Sequence, residues 1–487
     1  MRKIKICLIL LSALLVSSCD AYISELSEAP EPAAITAFSA DPIPVGANPG
    51  AVAATRETQP RETAAPRTEP ETAVPETEPE PELEHTTVNG TVTWIDADHF
   101  EVTAGDGSVV TVPFGGVSAP EYGVMYGAAA EITLDADGGY VSCAVGGVDL
   151  ADKAYEIMKG MSDEEKVGQL ILAGCSDRAS ALSAVENYHL GGLVLFARDF
   201  KNDTKATASA AIKAYQDKAR IPLIISADEE GGTVCRVSYY TQYRSSYFLS
   251  PRDMYARAGM EGIRSEAVEK ARLLLSLGVN MNLAPVADIS ADPKDFIYDR
   301  SLGQSPEITG EFVKTVVTAN REEGLASCLK HFPGYGSASD THTGIAYDGR
   351  SLDDFMSKDF VPFRSGVEAG AGAVMVAHIM CSGIDPDIPA CLSMKTHKLL
   401  RQELGFTGVC VTDDLGMGAI TQYTGGYNAA VTAVLAGNDL LAVAGDYITP
   451  YKAVLESLQN GTIPRRMVDG ACMRVLMYKL GNGIIGG

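Results

Sequence analysis

Basic residues are in short supply in this chain. Its 39 Lys and Arg stand against 63 Asp and Glu, a formal net charge of −24. A phosphate-binding surface needs a cationic patch, so this balance excludes a nucleic-acid partner. Past the first nineteen residues no stretch is apolar enough to cross a membrane. A phosphate-grasping Gly-rich loop and a Gly-x-Ser-x-Gly elbow are both missing, which removes nucleotide-binding and serine-hydrolase chemistry. There are ten cysteines, but no pair has metal-ligand spacing. Cys7 and Cys19 fall at the N-terminus, and the other eight are scattered, several in apolar runs, so they are expected to be mostly unpaired core residues. Histidine is also scarce, at 7 residues, yet two of them lie within Lys330–His342.

The chain opens on a targeting segment. Arg2, Lys3 and Lys5 form a basic head, Ile6–Val16 is apolar but too short to span a bilayer, and Ser17-Ser18 precede Cys19. Residues 1–19 thus resemble a bacterial lipoprotein signal, with Cys19 as the lipid-bearing first residue. A plain secretory signal and an uncleaved anchor are the alternatives. The expectation is an extracytoplasmic protein, lipid-anchored to the bacterial cell membrane. Residues 20–85 are rich in Ala, Pro, Thr and Glu, as from Glu76 to Glu82, and cannot bury enough apolar surface to offset their ordering entropy. They read as a disordered, extended tether.

Residues 86–147 change to short alternating runs, such as Thr87–Ile95 and His99–Thr103, with a hairpin signal at Gly105-Asp-Gly. This predicts a small β domain, a compact barrel or sandwich, with the single Trp94 in its core rather than serving as a sugar platform. From 148 to 487, eight apolar strand-like segments alternate with amphipathic stretches: 166–173, 191–196, 222–227, 279–286, 325–330, 373–378, 408–412 and 439–443. That pattern predicts an α/β fold, a (β/α)8 TIM barrel, with a doubly wound open sheet as the alternative.

A barrel keeps its chemistry at the C-terminal ends of its strands. Those ends carry Asp228-Glu229-Glu230, Asp288, Asp299-Arg300, Lys330-His331, His378 and Asp413-Asp414, with Asp340 and His342 in the loop after strand five. Lys330 beside the histidines would repel a dication, and no short His-x-His spacing exists, so no metal and no cofactor are expected. Asp413 as attacking carboxylate and His342 as proton donor form a coherent pair for glycoside cleavage. Asp340, two residues away, suits the task of orienting that imidazole. The alternative for Asp340-Thr-His342 is a solvated loop with a capping Asp.

The segments Pro222–Gly232, Asn282–Asp288, Asp299–Gly303, Lys330–Gly334, Val376–His378 and Val411–Met417 together resemble the successive motifs of glycoside hydrolase family 3, in its β-N-acetylglucosaminidase branch. The likeness runs in order across roughly 155–480. It implies Asp413 as nucleophile and the Asp340–His342 dyad as acid/base. It further implies substrate binding by Asp228, Arg300, Lys330, His331, Arg198 and His378. The activity implied is that of a retaining exo-β-N-acetylglucosaminidase, removing terminal GlcNAc from peptidoglycan fragments or other glycans through a covalent glycosyl-enzyme. A phosphorylase acting on GlcNAc or glucosides, attack by the substrate's own acetamido oxygen, and a non-catalytic glycan-binding envelope lipoprotein are the competing readings. A monomer is expected. The chain departs from the family pattern at Tyr335, where a second His is commoner. It also ends soon after the expected last helix, without the C-terminal sandwich domain of many members.

Overall fold

The computed structural model describes residues 85–424 and 429–486. The targeting segment, Cys19 and nearly all of the tether lie outside them. Within the 86–147 region, strands β1 (Thr86–Ile95), β2 (His99–Ala104), β3 (Val109–Pro113), β4 (Val117–Ser118), β5 (Ala129–Leu134) and β6 (Tyr140–Val145) form one six-stranded sheet, ordered β3-β2-β1-β5-β6-β4. It is neither a closed barrel nor a two-sheet sandwich. Period-two alternation sends Val92, Phe100, Val102, Val112, Ile132, Cys143 and Val145 to one buried cluster. Trp94 is 3% exposed and its Nε1–H donates to Asp96 Oδ2 at 3.2 Å, so it is a core residue as expected.

The second part is the eight-stranded parallel barrel. Its strands are β7 (Ile171–Gly174), β8 (Gly192–Leu195), β9 (Ile224–Ala227), β10 (Met281–Asn282), β11 (Ala326–Phe332), β12 (Ala373–Val376), β13 (Val409–Thr412) and β14 (Leu441–Ala444). They neighbour one another in the order β13-β12-β11-β10-β9-β8-β7-β14, and a bridge between Val411 and Leu440 joins the two ends. Leu172, Val194, Ile224, Met281, Cys328, Met375, Val411 and Ala442 fill the interior, while residues one step along each strand pack outward against the helices. Most strands are therefore buried and largely apolar on both faces, which is why these segments read as hydrophobic runs.

Among the helices are α1 (Asp163–Gln169), α2 (Pro251–Leu277), α3 (Pro306–Glu323), α4 (Met394–Gln402) and α5 (Arg465–Gly481). In α3, Ser305 caps the N-terminus by accepting from Ile308 N, Pro306 takes the first position, and Gly324 ends it at φ 87°. Two expected strands are corrected. The first half of 166–173 is α1, nucleated by a capping box between Ser162 and Glu165, and only Ile171–Gly174 is strand. Over 279–286 only Met281–Asn282 keeps regular pairing, because Pro285 has no N–H to give the ladder.

The sheet of β1–β6 and the barrel belong to one compact unit. Glu101 on β2 accepts from Lys398 (2.6 Å) and Gln402 (2.8 Å) of α4. The guanidinium groups of Arg401 and Arg474 lie 4.4 and 5.0 Å from the centre of the Tyr126 ring, and both arginines pair with the buried Asp439 just before β14. Asp439 and the Phe406 and Gly408 carbonyls bound by Arg401 precede β14 and β13, so the sheet covers the N-terminal end of the barrel. The loops that follow β9, β10, β11 and β13 lie at the opposite, C-terminal end.

At that end the loop after β11 is tied down by Arg350. Its guanidinium binds Asp348 (2.8 Å), Asp359 (2.5 Å) and the Gly334 carbonyl (3.2 Å). Gly334, at φ 125°, lies so close to Asp359 that a Cβ there would meet its carboxylate. Burial pushes the Asp359 carboxyl up to about 7, with Asp288 and Asp348 adding to the rise and Arg350 opposing it. The native state therefore holds a proton there that the unfolded chain gives up near its ordinary 3.8, so this group makes stability fall as pH rises from about 4 to about 7. Buried His378 and His397, both shifted down by burial, pull the other way, so the wild-type profile mixes signs. In Asp359→Asn the component from Asp359 disappears. Denaturant melts should show the difference between the two proteins moving in the variant's favour by up to ~1.4 kcal/mol per pH unit across this window. A pH-independent difference contradicts this placement of the carboxyl.

Candidate active site

The site grows from the end of β11, where Lys330 is 2% exposed. A buried ammonium needs negative partners, and it has two: Asp228 Oδ1 and Glu230 Oε1, both at 2.6 Å. Asp228 directly follows β9, and Glu230 lies in the short hairpin behind it, Glu229–Gly231 paired with Val234–Cys235. Arg300 then grips Glu230 through two parallel hydrogen bonds, Nε at 2.9 Å and Nη2 at 2.8 Å. Burial alone would raise both carboxyls and depress the ammonium. The mutual charges win, holding Asp228 and Glu230 below the usual carboxylate range and Lys330 above its ordinary value.

Arg300 also fixes the next group. Its Nη2 lies 3.2 Å from His331 Nε2, and a guanidinium only donates, so Nε2 accepts. The proton therefore sits on Nδ1, which donates to Asp288 Oδ2 at 2.7 Å. Asp288 additionally accepts from the backbone N–H groups of His331 (3.1 Å) and Tyr335 (2.7 Å). One carboxylate thus anchors the strand end and the start of the following loop.

Asp413 follows β13 and is partly exposed. Burial would lift its carboxyl, but the imidazoles of His378, His331 and His342 and the Asp414 N–H (2.8 Å) outweigh it and hold the group at about 2. Its neighbour Asp414 goes the other way, to about 6, through burial and the charge of Asp413, while accepting from Gly416 N (3.0 Å) and Ala444 N (2.9 Å). Adjacent carboxyls thus sit in different environments: Asp414 secures the turn through two backbone N–H groups, and Asp413 stays an ionised carboxylate at the rim.

Asp340 and His342 form a pair at 2.6 Å between Oδ1 and Nδ1, reinforced by His342 N to the same oxygen at 2.9 Å. Burial opposes ionisation of Asp340, and the contacts with His342 overcome it and lower its carboxyl. These bonds make the pair a constructed dyad. The segment after Asp413 meets this loop directly, Ala419 N donating to Thr341 O at 3.1 Å.

Six of the expected residues, Asp228, Arg300, Lys330, His331, Asp340 and His342, therefore gather with Asp413 at one rim. Arg198 is at its margin: it donates to the Cys175 carbonyl at 2.9 Å and lies 4.6 Å over the Phe196 ring. His378 stands differently from the expectation of sugar contact. It is 0% exposed, its Nε2–H donates to the Asp414 carbonyl (2.8 Å), and Nδ1 faces the Cys391 thiol (3.0 Å), so both ring nitrogens serve the protein. It supports the turn carrying Asp413 from behind. Cys391 and the other seven described cysteines are free and buried.

Two groups were not singled out from the sequence. Glu230 was passed over beside Asp228, although two acids after a buried strand facing one downstream Lys and one Arg call for two partners. Arg236 contacts Asp228 Oδ2 at 3.5 Å. Glu229 pairs with Cys235 across the hairpin, so the flanking Asp228 and Arg236 fall opposite each other. The turn signal Gly231-Gly232 was the available clue.

Comparison with known proteins gives a consistent picture. Residues 162–478 match the N-terminal domain of glycosyl hydrolase family 3. The β-hexosaminidase LpqI of Mycobacterium tuberculosis is 32% identical over 333 residues, covering 66% of this chain and 83% of that protein. A β-hexosaminidase of Xanthomonas campestris pv. campestris is 34% identical over 326 residues, covering 65% and 92%. Among solved structures, a family 3 β-N-acetylglucosaminidase from Paenibacillus sp. str. FPU-7 superposes with a TM-score of 0.63 at 31% identity. That match covers 67% of this chain and 64% of the Paenibacillus protein, just under two thirds of its length. The M. tuberculosis LpqI structure gives 0.60 at 31% identity, covering 66% and 95%. The shared region runs from the residue that caps α1 to the last turns of α5, the whole of the barrel, and on that extent this chain belongs to glycoside hydrolase family 3.

Proposed function

We propose that the protein is a retaining exo-β-N-acetylglucosaminidase. The observation that carries this reading is the pairing of an ionised Asp413 with the Asp340–His342 dyad on abutting loops at the barrel's open end. In the first step an Asp413 oxygen bonds to the anomeric carbon as the bond to the leaving oxygen breaks, and His342 hands that oxygen a proton from Nε2. In the second, His342 takes a proton from water, the water oxygen attacks the same carbon, and Asp413 is released as carboxylate. Lys330, Arg300, Asp228 and His331 form a preorganised set of donors and acceptors suited to sugar hydroxyls. The preference for GlcNAc is supported by the names of the hexosaminidase relatives.

We also propose that the enzyme is a monomer anchored by lipid at Cys19 and acts outside the cytoplasm on GlcNAc-ended cell-wall fragments. The N-terminal sequence supports this. Among the described residues no helix is long and apolar enough to cross a membrane. Cys19→Ser should shift the protein from the membrane to the soluble fraction of its bacterial host, and undiminished membrane association speaks against the lipid.

Asp413→Asn should lower release of p-nitrophenol from its N-acetyl-β-glucosaminide by ~10³-fold or more, with the fold intact by circular dichroism. Wild-type turnover should be indifferent to inorganic phosphate. Phosphate-dependent turnover with a sugar 1-phosphate product would move the assignment to a phosphorylase.

The pH profile follows from the same charges. Asp413, held at about 2, stays ionised throughout the working range, so loss of activity on the alkaline side reports loss of the proton from His342. The Asp340 carboxylate lies 2.6 Å from His342 Nδ1, so its negative charge favours the imidazolium over the neutral ring. Asp340→Asn should therefore move the alkaline limb of kcat/KM to lower pH as well as reduce its plateau. An alkaline limb that stays in place would contradict the dyad.

A further inference from the structure

The two members of the dyad flank a residue of opposite character. Asp340 and His342 have side chains 29% and 45% exposed, whereas Thr341 between them is 0% exposed. The dyad is thus carried on a buried pivot. Two bonds hold that pivot: the Thr341 hydroxyl pairs with the Tyr335 hydroxyl, and the Thr341 carbonyl accepts from Ala419 N at 3.1 Å. Ala419 belongs to the segment following Asp413. At Gly418, a Cβ would come within 2.7 Å of the His342 carbonyl oxygen. The absent side chain lets the loop bearing the nucleophile touch the loop bearing the acid.

Tyr335 is itself held firmly. Its N–H donates to Asp288 Oδ1 at 2.7 Å, and its ring stands edge-on to His331 at 5.2 Å. Phe296 is 5.5 Å from Tyr335 and 6.3 Å from His342. With 1% exposure, Tyr335 offers little surface to a substrate, while its hydroxyl ends at the pivot of the dyad. A phenylalanine would keep every ring contact and lose only the hydroxyl's contacts with Thr341.

We infer that Tyr335, through its hydroxyl on Thr341, is a positioning residue that sets the Asp340–His342 pair over the bond to be cleaved. This rests on the glycosidase reading above and adds a residue that acts through another. Its consequence is selective. A poor leaving group needs the proton of His342, whereas a dinitrophenolate departs without it. A displaced acid therefore shows on the first and hardly on the second. The second step uses His342 as base whatever the leaving group was, so with an activated substrate kcat falls and the glycosyl-enzyme accumulates while kcat/KM is largely kept.

The test compares phenyl and 2,4-dinitrophenyl N-acetyl-β-glucosaminides on the full-length enzyme and on Tyr335→Phe, Thr341→Val, Thr341→Ser and the Tyr335→Phe/Thr341→Val double variant. Both single variants lacking a hydroxyl should lose ~30- to 100-fold in kcat/KM on the phenyl compound and less than ~3-fold on the dinitrophenyl one. Thr341→Ser, which keeps the hydroxyl, should follow wild type, and the double variant should be no worse than either single one. Equal losses on both substrates, or additive losses in the double variant, overturn the inference. Thr341→Val carries the test alone if Tyr335→Phe does not fold. Wild-type enzyme inert toward both compounds would instead sink the glycosidase reading, and the positioning role with it.

Discussion

A lysine ammonium that water barely reaches must be met by negative charge, and the architecture of the site follows from meeting it. Lys330 draws in Asp228 and Glu230 at 2.6 Å each. Glu230, with its side chain 1% exposed, calls for a second cation and receives Arg300 through two bonds. Arg300 dictates which nitrogen of His331 holds the proton, and that proton binds Asp288. Asp288 then takes the Tyr335 N–H, and the loop toward the Asp340–His342 pair begins. Residues from three strand ends, those of β9, β10 and β11, are ordered by alternating charge. Such lattices contribute little net stability, since desolvation consumes most of the Coulombic gain. Under the proposed function their value is that donors and acceptors are already oriented for a polyol.

The surroundings of Asp413 are built on separation instead of pairing. Among the described residues no Lys or Arg is paired with Asp413; the imidazoles of His378, His331 and His342 and one backbone N–H keep it ionised while part of it remains exposed. Its neighbour Asp414 spends its carboxylate on two backbone N–H groups, with His378 donating to its carbonyl. A nucleophile locked in a salt bridge would be stable and unreactive. Here the locking is assigned to the adjacent residue, and the cations Lys330 and Arg300 are paired with Asp228 and Glu230 instead.

Much of this was legible in the sequence, for a physical reason. Barrel strands are buried on both faces, so they appear as apolar runs, and polar residues at their ends stand out by contrast. Asp228, Lys330, His331 and Asp413 were visible in that way. Side chains whose position depends on a hairpin or on a neighbour's demand were not, which is why Glu230 and Arg236 were missed. His378 looked like another rim residue because sequence does not reveal that both its nitrogens turn inward. The capping box at Ser162 and Glu165 was readable but hidden by an apolar run that continued into β7. The docking of the N-terminal sheet depends on Tyr126 meeting Arg401 and Arg474, residues far apart in the chain, and no local pattern announces that.

The central claim is that Asp413 becomes bonded to the sugar. The most direct measurement is to trap the intermediate with an activated fluoro-sugar substrate, digest the protein and locate the added mass by mass spectrometry. The account predicts stoichiometric labelling of Asp413, lost in Asp413→Asn. A label on Asp414 or Glu230, or turnover of the substrate with no covalent adduct at any stage, would contradict it.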